Sequence, residues 1–333
     1  MIILCGDIGG TKTLLRLSCF SNDDRGSVLH QRRYASKDFV DFNDVISNFI
    51  DSYGQIDIRS ACFGVAGPVT KKGNAYSSQV TNLPWRIDSQ GISDKFSIPN
   101  VVLLNDFESV GFGLEALTAD DFVTLQSGTA VSYSPQLFVG AGTGFGMAYR
   151  FSFEGQRKIL ATEAGHCDFS PSNEQQLNLA QYLMHSLGRC SIESVLSGSG
   201  LVNIYRYICS QNLRAQLQQN NQHLQAPDPA ASIALAAGTG NDEAAAKAMN
   251  LFVECYGGQT GNLALSGLTR GGVYIAGGIA PKIIDYLKTG RFMSAFVEKG
   301  RMTGLLQKMP VKVVINPEVG LLGSQTVAAW GLK

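Results

Sequence analysis

The stretch GDIGGTKT, residues 6–13, sets three glycines and one aspartate beside Thr11, Lys12 and Thr13, which can all donate side-chain hydrogen bonds. Turns of this composition hold phosphate oxygens through backbone amides, and Asp7 beside them can hold Mg²⁺ through water. A second cluster, GAGTGFG at residues 140–146, sets four glycines around Thr143. Neither cluster is a P-loop, which needs a glycine directly before its lysine, because Thr11 precedes Lys12. Neither is the dinucleotide fingerprint, whose last glycine would fall on Phe145 or Met147. Both clusters run on into strand-like rather than helical sequence, so the anion-binding helix N-terminus of those motifs is missing. The expectation is a pair of hairpins whose tips face a nucleoside triphosphate carrying Mg²⁺; singly, each would be read as nothing more than a tight turn.

The elements that must carry these tips are legible around them. MIILC, then TLLRLSCF, form strand, turn and strand, and QLFVGAGTGFGMAYRF repeats the arrangement later in the chain, which suggests a duplicated architecture. ACFGVAGPV, NVVLLND, GGVYIAGGI and VKVVINP read as further buried strands. NEQQLNLAQYLMHSL has helical spacing behind Ser172 or Asn173 as cap, and LLGSQTVAAWGL reads as a closing helix. The run from Asp242 to Leu268 is helical in pattern, with Gly257, Gly258 and Gly261 either kinking it or admitting close packing. Strands alternating with helices give an α/β protein. The Gln- and Asn-rich tract at residues 211–232 reads as a surface excursion.

Bulk composition narrows the partners. At 333 residues the chain suits two domains, and with a formal net charge of zero and 16% charged residues it offers no basic face for nucleic acid. No apolar run is long enough to span a membrane and no secretion signal precedes the first strand, so a soluble, cytoplasmic protein is expected. Seven cysteines, scattered and never spaced C-x-x-C, read as buried thiols rather than as disulfides or metal ligands.

The set GDIGGTKT, LLNDFESVGFGLEAL, GAGTGFGMA, EAGHCDFSP, SIESVLSGSGLVNIY and YIAGGIAP closely resembles, in order and over nearly the whole chain, the bacterial glucokinases of the non-zinc type. These belong with hexokinase to the actin-like ATPase superfamily. The resemblance implies two actin-like (ribonuclease H-like) α/β domains flanking a cleft, residues 1–110 with 316–333 forming the smaller and 111–315 the larger. It implies ATP and Mg²⁺ as cofactors, a hexose partner, a homodimer, and phosphorylation of glucose to glucose 6-phosphate. ATP contacts fall on Gly6, Asp7, Ile8, Gly9, Gly10 and Thr11, on Gly142, Thr143 and Gly144, and on Gly277 and Gly278 near adenosine; Asp7 is the metal residue.

At the reacting end, Asp106 follows an apolar strand and precedes a helical pattern, where α/β sheets gather ligand-binding groups. It would accept the proton of the attacking sugar hydroxyl while Asn105 bonds a neighbouring one; its bland alternative is a helix cap. Glu163, His166 and Glu193 match the family's sugar-contacting positions, and without the resemblance they would read as two solvated charges and a core histidine. Zinc is not expected, because HCDFSPSNEQQ carries one cysteine where the zinc-containing relatives carry a cluster. Two positions depart from the pattern: Lys12 stands where Asn is common, and Ala164 where Gly is usual. Rival readings are a kinase for another hexose, a sugar-binding sensor without catalysis, and an ATP-driven chaperone or filament former. The last gives no reason for the EAGH and SIES carboxylates.

Overall fold

The computed structural model describes residues 1–20, 26–54, 56–154, 156–211, 222–240 and 242–331. The chain divides into two compact units, one made of Met1–Ala119 with Asn316–Lys333 and the other of Asp120–Ile315. Of the Gln- and Asn-rich tract, residues 212–221 lie outside the described residues, and Pro229–Thr239 is a helix that starts behind the Asp228 cap.

The first unit is built on a five-stranded sheet of order β3-β2-β1-β4-β8. Its strands are β1 (Ile2–Ile8), β2 (Lys12–Cys19), β3 (Ser27–Ala35), β4 (Ile58–Val65) and β8 (Val101–Asn105). β1 pairs antiparallel with β2 and parallel with β4, and β4 pairs parallel with β8. Because β1 and β4 are covered on both faces, they are apolar almost throughout instead of alternating. The edge strand β3 is exposed except near Tyr34 and carries Arg32 and Arg33, the usual protection of a sheet edge. Helix α1 (Phe42–Tyr53) buries Phe42, Val45, Ile46 and Phe49, the 3.6-residue stripe, behind an Asp41 cap that accepts the Asp44 N–H. Phe42 meets Phe63 edge-on at 5.0 Å in this core. Helix α2 (Ser89–Phe96) and a three-stranded sheet, β5 (Val69–Lys72), β6 (Ala75–Gln79) and β7 (Arg86–Asp88), complete the periphery.

Helix α3 (Asp106–Gly113) follows β8 without a linker and crosses the closing helix Val319–Trp330. Buried Arg16 of β2 fixes the start of that closing helix by an ion pair with Glu318 and a 3.3 Å bond to Gln325.

The second unit repeats the plan. Its sheet has the order β12-β11-β10-β13-β14-β9. The strands are β9 (Phe122–Gln126), β10 (Gln136–Ala141), β11 (Phe145–Phe153), β12 (Gln156–Thr162), β13 (Val273–Ala276) and β14 (Val311–Val314). Set aside β9 and the two units match strand for strand: a central first strand, two strands joined by successive antiparallel pairings on one side, and two joined by parallel pairings on the other. Helix α4 (Glu174–Leu187) takes Asn173, not Ser172, as its cap, and α5 (Gly198–Ser210) takes Ser197. The helix Glu243–Ser266 is buried on nearly all sides, as a central helix must be. Its glycines admit close packing: a β-carbon on Gly257 or Gly261 would stand 2.0 or 2.4 Å from the Phe292 or Phe296 carbonyl oxygen of the helix Arg291–Val297.

Cys5, Cys62, Cys190 and Cys255 are buried, as expected of core thiols, but Cys167 is exposed. No helix among the described residues is long and apolar enough to cross a membrane.

Candidate active site

In the first unit the turn between β1 and β2 is closed by the Gly9 N–H, which donates to the Lys12 carbonyl at 2.9 Å. The tip is braced from below by Ser36, whose hydroxyl donates to the Gly9 carbonyl at 2.9 Å and whose N–H donates to the Thr11 carbonyl at 3.1 Å. Gly6 and Ile8 are buried within β1, whereas Gly9, Gly10 and Thr11 reach the surface. Asp7 is half-buried, and its side chain makes no hydrogen bond among the described residues. Burial pushes the Asp7 carboxyl above its usual range against the opposing pull of the Lys12 and Arg33 cations. Lys12 is exposed, so the departure at this position adds a positive charge whose field is felt at the tip. Beside Gly10 lies a concavity of about 570 Å³ lined by Pro68 and Gln79 through Pro84, which the sequence did not disclose.

At the end of β8, the cap of α3 is Asn105, so the bland alternative for Asp106, that of helix cap, is filled by its neighbour. Asn105 Oδ1 accepts the N–H of Phe107 at 2.9 Å and that of Glu108 at 3.4 Å, while Glu108 accepts the Asn105 N–H. This is a capping box, and its signature, Asn followed three residues later by Glu, was present in LLNDFE. Asn105 Nδ2 also donates to the Gly67 carbonyl at 3.2 Å. Asp106 is thereby placed at the first helical position, half-buried, with Oδ1 accepting the Phe107 N–H at 2.9 Å.

Burial lifts the Glu108 carboxyl to about 7, with the Asn105 N–H opposing the rise. The folded protein therefore binds more protons here than the unfolded chain between the usual glutamate range and pH 7, so this contribution to stability is present in acid and lost as pH rises through 7. Glu108→Gln keeps an acceptor for the Asn105 N–H and removes the titration. Between pH 5 and pH 8 its stability relative to the parent should improve by about 2 kcal/mol in denaturant titrations; parallel pH profiles would contradict the assignment.

In the second unit the tip between β10 and β11 is closed by the Gly142 N–H, which donates to the Gly144 carbonyl at 2.8 Å. Thr143 is exposed at its apex, and Tyr256 supports its base by accepting the Ala141 N–H at 3.1 Å. Glu193 is no solvated surface charge: its Oε2 accepts the Phe145 N–H at 2.8 Å. The Glu193 N–H donates to the Gly165 carbonyl at 2.9 Å, which draws the turn at residues 163–166 to the same place. Glu163 and His166 stand exposed on that turn, so His166 is not a core histidine, and Ala164 packs its methyl partly into the core. Gly277, just after β13, has φ +83°, a conformation that favours glycine, and the Ile279 N–H beyond it donates to the Ala141 carbonyl at 3.2 Å. Gly278 next to it is open on its side-chain face.

The structure thus gathers two sets of groups. In the first unit are a glycine tip with a carboxylate, and Asn105 with Asp106 at a strand end. In the second, one hydrogen-bonded cluster joins the other glycine tip, the turn bearing Glu163 and His166, Glu193, and the turn at Gly277. Glycine tips offer amides to phosphate; the carboxylates and the imidazole offer acceptors and donors to a polyhydroxylated ligand.

Comparison with known proteins accords with this chemistry. The Glucokinase family model matches residues 4–330. A glucokinase of Trichormus variabilis is 38% identical over 342 residues, covering 98% of this chain and 99% of its own. The crystal structure of a glucokinase from an Antarctic psychrotroph superposes with a TM-score of 0.82 at 27% identity, covering 98% of both chains. A ROK family glucokinase from Streptomyces griseus, in complex with glucose and AMPPNP, shares the fold at a TM-score of 0.66 and 19% identity over 99% of this chain and 100% of its own. The fold is that of the actin-like ATPases, and the chain belongs to the glucokinase family.

Proposed function

We propose that this enzyme, a glucokinase that phosphorylates glucose with ATP, uses Asp106 as the general base for the attacking 6-hydroxyl. The observation that carries the reading is the placement of Asp106 itself, held half-buried at the junction of β8 and α3 by the Asn105 capping box. As the hydroxyl oxygen forms its bond to the γ-phosphorus, its proton passes to the Asp106 carboxylate, the bond from phosphorus to the bridging oxygen breaks, and ADP leaves. Phosphoryl transfer has a loose transition state, so most of the acceleration comes from alignment and charge stabilisation, with a general base adding typically about 10² to 10⁴-fold.

The remaining roles follow from the groups on offer. Gly9, Gly10 and Thr11, with Gly142, Thr143 and Gly144, present amides and hydroxyls to the phosphates, and Gly277 with Gly278 leaves room for adenosine. Glu163, His166 and Glu193 bond the hexose hydroxyls. A second hydrogen on Asn105 Nδ2, beyond the one given to Gly67, serves a neighbouring hydroxyl. Charged acceptors make such bonds strong, and a buried carboxylate left unpaired penalises a sugar that lacks the matching hydroxyl. The Asp7 carboxylate, bonded to no other side chain among the described residues, fits a hard cation with oxygen ligands. Mg²⁺ held there would neutralise charge on the phosphate oxygens.

A coupled assay with glucose, fructose, mannose and N-acetylglucosamine, with and without Mg²⁺, tests this reading. ADP should form only with sugar and Mg²⁺, and fastest with glucose. Saturable glucose binding without turnover would favour the sensor, and hydrolysis equally fast without sugar would favour the chaperone or filament reading.

A further inference from the structure

We propose that Glu193 is a positioning residue for the nucleotide as well as a hexose ligand. Its carboxylate holds the tip between β10 and β11 in its phosphate-binding form, so that hexose and nucleotide bind more tightly together than apart. The inference rests on the roles given above to Glu193 and to residues 142–144.

Three bonds join Glu193 to its surroundings, and each leads to a different part of the site. Its backbone N–H reaches Gly165 in the turn that bears Glu163 and His166, at 2.9 Å. Its backbone carbonyl accepts the hydroxyl of Ser197, the cap of α5, at 2.8 Å. Its side chain crosses to the hairpin and accepts the Phe145 N–H at 2.8 Å. The far side of the tip is tied to the same segment, because the Gly198 N–H donates to the Gly142 carbonyl at 2.8 Å. The tip is therefore gripped at both ends by the stretch that starts with Glu193.

Gly144 makes this grip possible. A β-carbon there would stand 2.3 Å from Glu193 Oε2, inside any van der Waals contact, so a side chain at this position and the bond to Phe145 exclude one another. The absence of a side chain here admits a protein carboxylate and leaves the Gly144 amide for the phosphates. Glu193 Oε1 has no hydrogen-bond partner among the described residues and remains for a sugar hydroxyl.

A glycine-rich tip is costly to order, because its residues lose more backbone freedom than others do. A hexose bonded to Oε1 fixes the side-chain torsions of Glu193, and with them the acceptor that orders the tip. Nucleotide then pays less of the ordering cost, and by thermodynamic reciprocity it tightens hexose binding by the same factor.

Calorimetric titration of the full-length protein with ADP, with and without glucose, reads this directly. In the parent protein glucose should tighten ADP by about 5-fold or more, within the usual range of coupling between sites. Glu193→Asp, one methylene too short to reach Phe145, should weaken ADP by about 10-fold in the absence of sugar and abolish the glucose effect. Glu193→Gln retains an acceptor and should keep sugar-free ADP affinity while losing glucose affinity. Sugar-free ADP affinity unchanged in Glu193→Asp would overturn the proposal. Unchanged glucose affinity in that variant would instead overturn the reading of Glu193 as a hexose ligand, so the two failures are distinguishable. Should the aspartate variant not fold, amide exchange in the parent protein decides. Phe145 N–H should exchange more slowly when glucose is added, and an unaltered rate would refute the coupling.

Discussion

Asp106→Ala should lower kcat by at least about 10²-fold while the protein keeps its fold and a measurable affinity for glucose. The separation of effects follows from where the residue sits. The cap of α3 is Asn105, whose bonds to the Phe107 and Glu108 N–H groups survive the change. What the helix loses is the Asp106 bond to the Phe107 N–H and the favourable interaction of a carboxylate with a helix N-terminus, typically about 0.3–1 kcal/mol. The loss to catalysis is larger because nothing else at the first helical position can take the proton. Steady-state kinetics together with glucose titration check both halves, and near-normal turnover would remove Asp106 from the role of base.

A second large effect is expected far from any ligand. A β-carbon on Gly323 would stand 1.8 Å from the Ser109 carbonyl oxygen and 2.8 Å from the Gly113 nitrogen, and one on Gly113 would stand 1.9 Å from the Val319 carbonyl oxygen. Two helices cross here backbone against backbone, with no flexible side chain to give way. Gly323→Ala must therefore separate α3 from the closing helix, at a cost of about 3 kcal/mol or more. The Arg16–Glu318 ion pair, at the start of the closing helix beside the crossing, resists the same displacement. Since α3 begins with Asp106, the strain should reach the active site, so a lowered Tm should come with a lowered kcat. A thermal melt and an activity assay on one preparation test this; a variant as stable as the parent would mean the crossing is looser than described.

Both glycine hairpins could be read from the sequence because their signal is local: an apolar run, a glycine cluster, another apolar run. The repeat of that signal pointed to duplication, and the matching strand orders of the two sheets are its structural counterpart. Strands β4, β8, β13 and β14 were legible for the same reason, as continuous apolar runs of doubly covered strands. β3 and the small sheet of β5, β6 and β7 were not, since their side chains face solvent and carry little periodicity. A cap was the alternative role for Asp106 because aspartate is a strong cap residue, although Asn105 and Glu108 together carry the more specific pattern. The bond from Glu193 to Phe145 spans 48 residues and the pair Arg16–Glu318 spans 302, so neither leaves a local mark. The glycines of the long helix posed a choice between kink and close packing that, for Gly257 and Gly261, only the neighbouring helix Arg291–Val297 could resolve. The raised carboxyl of Glu108 likewise depends on burial that no short window reveals.

The central claim is that Asp106 readies the sugar hydroxyl for attack on a triphosphate held by glycine tips. A crystal structure of the protein with glucose, Mg²⁺ and a non-hydrolysable ATP analogue tests it most directly. The account predicts the Asp106 carboxylate within hydrogen-bond reach of the glucose 6-hydroxyl, about 2.6–3.2 Å, with the phosphates on the amides of residues 9–11 and 142–144. An Asp106 carboxylate turned away from that hydroxyl, or phosphates lying on neither tip, would contradict it.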